Sequence, residues 1–459
     1  MSLMRKCILT FIFLGLITEG FSQDNKELLK LSVSEAQTYA LQNNRSVQSA
    51  KIDTKIANKK VWETTAMGLP QLSLATNYQH QFEVPKISFG KYLDAGSLPD
   101  EVALTRNDIL TAFKDSPLVA LGVPDNITID LTVSQLIFSG EYIVGLQASR
   151  VFKEISEKSL VKTEAVTKES VAGTYYLVLV LGENVRVLSE SLKAIDKTYN
   201  DLVKMNQQGF NEETDVDQMK INRSNIQTLL TSLTAQREIS MKLFKYQLGV
   251  DFSQPVVLTD TLPGIIDQGI VQYLSSPEFN LDNSIDFQMV SNMEKVSELS
   301  LKREQSKYLP TLSAFYRHQE QAKKASFNFA VKDILGVTFS LPIATSGMRN
   351  SKISQAKFEL EKSRLNKENA GQGLTMEFET ALSSYQTAYS NFSTNKESVT
   401  LSKKVYEKTI IKYREGVSSN FELTQNQNQF LTAESNYYNS VLSLLNAKAK
   451  LDRILNISK

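Results

Sequence analysis

The chain has 459 residues, a formal net charge of +1 and 22% charged residues. That length allows two or three domains, and the balanced charge leaves no basic footprint for nucleic acid. The single cysteine, Cys7, lies in the first residues, so a chain trimmed there has neither disulfides nor thiol chemistry.

The first element is a targeting segment. Arg5 and Lys6 precede an apolar run from Cys7 to Ile17, followed by Gly20-Phe21-Ser22. This is a signal peptide over 1–22, with cleavage expected before Gln23. Its removal brings the formal charge to 0, because Arg5, Lys6 and Glu19 leave together. No other stretch is apolar enough to read as a membrane-spanning helix.

Residues 23–250 form a first repeat. Two strands are expected in it, at about 70–82 and 127–137. In the first, Leu72, Leu74, Thr76, Tyr78 and Phe82 alternate with Gln71, Ser73, Ala75, Asn77, Gln79 and Gln81. In the second, Ile127, Ile129, Leu131 and Val133 alternate with Thr128, Asp130, Thr132 and Ser134. Residues 83–126, with Pro85, Pro99, Pro117 and Pro124, read as a long loop. No proline then occurs until Pro255, which permits a very long helical hairpin over 141–247. Residues 251–282 hold three prolines and read as a connector.

Residues 283–459 repeat the pattern, with strands at about 310–320 and 333–342 and a helical hairpin at 348–456. Leu335, Val337, Phe339 and Leu341 alternate with Ile334, Gly336, Thr338 and Ser340. The strand before it is mixed: Phe315 falls on the polar face and His318 on the other. The last helix carries a seven-residue stripe of Leu423, Phe430, Tyr437, Leu444 and Leu451, a coiled-coil signal. In the first repeat Arg223 and Arg237 interrupt the matching stripe.

The two halves are a tandem duplication. Gly209 and Gly416 lie 207 residues apart, and the same offset joins Ser139-Gly140 to Ser346-Gly347 and Gln218 to Gln425. Leu69-Pro70 matches Leu309-Pro310 at 240, so the first copy carries about 33 extra residues in its loop. At 207 the strand faces fall out of phase, and 208 restores them; a bulge near Pro342 is the expected cause. Each glycine suits a left-handed helix cap, so each break is the tip of an antiparallel hairpin. A helix of nearly 70 residues is about 100 Å long.

Strands of about ten residues with alternating faces match the pattern of outer-membrane barrels. Four strands do not close a barrel, and open edges in lipid are costly. Membrane strands in this chain must therefore be pooled with those of other copies.

GLPQLSL and YLPTLSA, VSQLIFSG and SLPIATSG, and YREGVSSNFELTQNQ, in this order and doubling, resemble the TolC-type outer-membrane efflux proteins. The resemblance covers nearly the whole chain after the signal. It implies a mostly helical protomer with a β-barrel part: coiled-coil hairpins plus four membrane strands, assembled as a homotrimer. Three chains would form a 12-stranded outer-membrane barrel, embedded in outer-membrane lipid, and a periplasmic α-helical tunnel. The implied partners are a periplasmic adaptor (membrane fusion) protein and an inner-membrane transporter such as an RND-type pump. The implied function is passive conduction, without catalysis, cofactor, metal or nucleic acid.

The resemblance also assigns residues. Adaptor-contacting tips would be Gly209, Phe210, Asn211 and Thr214, with Gly416, Val417, Ser418 and Phe421. The channel aperture would be lined by Glu422 and Gln425 and by Asp215 and Gln218. Gln425 departs from a family pattern with a second acid, which implies weaker cation binding at this gate. Tyr78, Phe82, Phe89 and Tyr92 are candidates for an aromatic girdle, and His80 and His318 are the only histidines. Two other readings remain open: a channel for protein export with the same architecture, and a non-transporting coiled-coil structural protein of the cell envelope.

Overall fold

The structure, a computed structural model, describes residues 28–87, 119–269, 277–324 and 330–456. The signal peptide, most of the 83–126 loop, and Phe89 and Tyr92 lie outside these residues. In chain order the elements are β1 (Leu29–Leu31), α1 (Val33–Asn43), α2 (Arg45–Ala66), β2 (Gln71–His80), β3 (Lys86–Ile87), β4 (Val119–Ala120) and β5 (Asp125–Ser139). Then come α3 (Gly140–Gln207), α4 (Glu213–Leu248), β6 (Val256–Leu258), α5 (Leu262–Gly269) and α6 (Ile285–Ser306). The chain closes with β7 (Thr311–Gln321), β8 (Asp333–Ser340), α7 (Met348–Arg414) and α8 (Asn420–Ile454). The two longest helices, α3 and α7, have 68 and 67 residues.

The chain divides into two compact units, each drawing on both sequence copies. One comprises the described parts of 1–50, 160–285 and 373–459; the other comprises 51–159 and 286–372.

The second unit is built around a four-stranded antiparallel sheet in the order β2-β5-β7-β8. Each hairpin is approached by a helix that stops at a Leu-Pro pair, Leu69-Pro70 after α2 and Leu309-Pro310 after α6. Proline supplies no N–H and disfavours helix in the residue before it, so the chain turns extended there. Gln71 pairs with Ser134 and Thr311 with Ser340, so the two hairpins match at an offset of 206. That is an even step from 208, and it brings the faces into phase. The ladder irregularity is not beside Pro342. It lies in β5 between Leu136 and Phe138, where Ile137 is the extra residue opposite β7. The bulge returns Phe138 to the apolar face, across from Leu312.

One face of this sheet is continuously apolar. Leu72 and Leu74 oppose Val133 and Leu131, and Leu312, Ala314 and Tyr316 oppose Phe339, Val337 and Leu335. These side chains are exposed in the single chain: 69% for Leu72, 78% for Leu335 and 66% for Val337. The other face carries Ser73, Asn77, Thr128, Asp130, Thr132, Arg317 and Thr338. Phe315, the odd residue on that face, stands across from Gly336. A Cβ at Gly336 would lie 2.6 Å from the Phe315 ring, so the ring occupies the space a side chain would take.

His318 also has a local explanation. It pairs across the ladder with Asp333, to whose Oδ1 its Nδ1 donates at 2.7 Å, and the Tyr316 hydroxyl donates to the same oxygen at 2.7 Å. The first hairpin repeats the device: His80 Nδ1 and the Tyr78 hydroxyl donate to Asp125 Oδ1 at 2.8 and 3.1 Å. Phe82 is fully splayed out, with His80 edge-on at 4.9 Å.

The first unit is held by three apolar clusters. In the largest, Val441, Leu444, Leu445 and Leu451 of α8 meet Phe378, Ala381, Tyr385 and Phe392 of α7. The stripe read on α8 is its seam: Phe430 stacks on Tyr406 at 5.6 Å, and Tyr437 lies 5.9 Å from Phe392. On α4 the seam runs instead through Met219, Ile226 and Leu233, again seven residues apart. Arg223 sits beside it and pairs with Asp196 of α3. In the third cluster Leu31, Ala36, Ala40, Val171, Tyr175, Phe244 and Leu248 pack together. There β1 and β6 form a short parallel pair, and the buried Tyr175 hydroxyl donates to Asp260 Oδ2 at 2.9 Å.

Candidate functional site

The two helix breaks in the first unit are built alike. At the end of α3 the Gly209 N–H donates to Asn206 O and the Phe210 N–H to Met205 O, both at 2.9 Å. At the end of α7 the Gly416 N–H donates to Tyr413 O at 3.1 Å and the Val417 N–H to Lys412 O at 2.9 Å. This double pattern is the Schellman cap, and it needs a left-handed residue. Gly209 and Gly416 supply it, with φ of 81° and 73°.

The restarts differ. Ser419 caps α8, its Oγ accepting from the Glu422 N–H at 3.2 Å, while the Ser418 hydroxyl donates to Glu422 Oε2 at 2.7 Å. Glu212 occupies the cap of α4 without a side-chain bond to the helix, and Thr214 donates to Glu212 Oε2 at 3.1 Å. Asn206 Nδ2 donates to Asn211 O at 2.9 Å, which closes the first turn.

The structure brings the two turns together through a residue the sequence reading passed over. Asn420 Nδ2 donates to the backbone oxygen of Asp215 at 3.1 Å, tying the start of α8 to the first turn of α4. One helical stretch further, Asn222 Nδ2 donates to Gln427 Oε1 at 3.2 Å, with both side chains buried. The signal for this polar layer was present: Asn420 and Gln427 are seven residues apart, on an otherwise apolar helix face. Buried amides at such positions fix register between helices at a cost in stability.

Exposure sorts the tip residues. Phe210 and Val417 are each 74% exposed, and Phe421 projects similarly, so the turns carry apolar knobs into solvent. Gly209, Thr214 and Gly416 are exposed, Asn211 is half-buried, and Ser418 is buried under its bond to Glu422. Glu422, Gln425 and Gln218 are exposed and Asp215 is half-buried. Glu422 with Gln425, and Asp215 with Gln218, each stand three residues apart at the start of a helix and so share a face.

Both comparisons with known proteins agree with this architecture. Residues 280–456 match the family model described as outer membrane efflux protein. The fold is that of solved channels. A CusC structure aligns at TM-score 0.71 and 14% identity, covering 92% of each chain. The Campylobacter jejuni CmeC outer membrane channel aligns at 0.70 and 16%, covering 92% of this chain and 85% of that one. The open state of the Neisseria gonorrhoeae MtrE outer membrane channel aligns at 0.71 and 14%, covering 92% and 88%. A search of curated proteins finds no match. The second copy thus carries the sequence pattern of the outer membrane efflux proteins, and the described chain carries the TolC-type channel fold.

Proposed function

We propose that the chain is one of three subunits of an outer-membrane efflux channel that conducts substrates passively outward. The observation that carries this reading is the β2-β5-β7-β8 sheet, whose apolar face is exposed and whose edge strands β2 and β8 have no partner within the chain. In lipid each unpaired backbone group costs several kcal/mol. A neighbouring copy that sets its β2 against this β8 removes both edges, and three copies give twelve strands. The family match over 280–456 and the fold shared with solved channels support the same role.

In this reading the long helices line a periplasmic tunnel. The turns at Gly209 and Gly416 dock end-on to a periplasmic adaptor, which links the channel to an inner-membrane transporter such as an RND-type pump. The exposed Phe210, Val417 and Phe421 supply apolar contact there. Glu422, Gln425, Asp215 and Gln218 line the aperture, with Glu422 as its acidic ring.

The test is conductance of the purified protein in a planar bilayer. The proposal expects a cation-selective pore whose cation preference falls in Glu422→Gln. No conductance would sink the channel; a conducting Glu422→Gln with unchanged selectivity would remove Glu422 from the aperture.

A further inference from the structure

Where α3, α4, α7 and α8 meet near the turns, the first unit encloses a cavity of about 130 Å³. Its walls are mainly apolar and aromatic, with Met205, Met219, Tyr406 and Tyr413 among them. Gln427, only 2% exposed, also lines it. The bond from Asn222 to Gln427 Oε1 fixes which way the amide points. The other end, Gln427 Nε2, is buried and has no acceptor, and no other side-chain polar atom lining the cavity is in that position among the described residues.

These features select a ligand. An apolar cavity of about 150 Å³ takes up benzene, so this one has room for a single six-membered ring and little more. A buried water needs two to four polar partners, whereas one orphan donor suits a ligand with one acceptor. Lys197 and Arg414 face Asp201 around the lining, which leaves no large charge excess to select an ion. We propose that the cavity binds a small, neutral, single-ring aromatic heterocycle, whose one acceptor atom takes a hydrogen bond from Gln427 Nε2. Residues of both hairpins surround it, so an occupant would fasten one hairpin to the other near their tips. The site is independent of the channel reading above.

Pyridine and benzene are matched probes, differing in the acceptor atom. Their dissociation constants would be measured on the full chain in detergent by ligand-observed NMR. Benzene leaves water more readily than pyridine, so the informative quantity is the change in their affinity ratio between variants. Gln427→Met keeps the length of the side chain and removes the donor. The preference for pyridine relative to benzene should drop about tenfold there, the worth of one hydrogen bond. Thr198→Phe, which places a ring in the same space, should bind neither probe.

Failure of both probes to bind the unaltered protein would mean a cavity that holds water only, and would overturn the proposal. So would an unchanged ratio in Gln427→Met, or undiminished binding in Thr198→Phe. Should Gln427→Met not fold, the unaltered protein and Thr198→Phe still decide the matter.

Discussion

Glu434, on the buried side of α8, has one carboxylate oxygen enclosed without a hydrogen-bond partner. Arg186 on α3 is already engaged by Glu183 at 2.8 Å and Glu190 at 3.0 Å. Burial pushes the Glu434 carboxyl up to about 7; Arg186 and Lys403 oppose the rise, and Glu190 and Glu183 add to it. The folded chain therefore holds this proton more tightly than the unfolded one. The stabilisation is complete below the ordinary glutamate pKa near 4.5 and is lost as pH rises through about 7. Glu434→Gln should match the unaltered protein in melting temperature at pH 4.5 and exceed it at pH 8 by about 2–4 °C. A difference of the same size at both pH values would contradict the assignment.

At the scale of elements, the sheet's two faces make a directional prediction. Val337 and Thr338 are neighbours in β8 but point to opposite faces. Arginine on the lipid side of a barrel strand costs about 2–4 kcal/mol at mid-membrane, and far less where it faces a lumen. Val337→Arg should lower the denaturant midpoint of the assembled protein, and Thr338→Arg should leave it nearly unchanged. Equal effects would mean that neither face meets lipid.

Much at this scale could be read from the sequence, because alternation and seven-residue spacing are local patterns. The stripe from Leu423 to Leu451 and both glycine caps are of that kind. The shift of the α4 seam onto Met219 and Ile226 was not legible. Arg223 and Arg237 interrupt one stripe, but which neighbouring stripe replaces it depends on what α3 presents. The same holds for the bulge at Ile137, which is set by the β7 register, and for the β1–β6 pair, two three-residue strands joined across more than 200 residues. Of the candidate site, the turns were legible from glycine and cap chemistry. The amide layer of Asn420, Asn222 and Gln427 was not, because it is a contact between hairpins.

For the whole molecule, duplication did not produce two domains side by side. Each compact unit takes elements from both copies, so neither copy completes a unit alone. Nor does one chain complete its sheet: β2 and β8 remain edges, and the apolar face stays uncovered. Only copies of the same chain carry complementary edges in the right register, and lipid is the medium that covers such a face. Native mass spectrometry of the protein extracted in detergent tests this most directly. The account predicts particles of three chains that stay together until the detergent is stripped away. A monomer that remains soluble with no detergent present would contradict it.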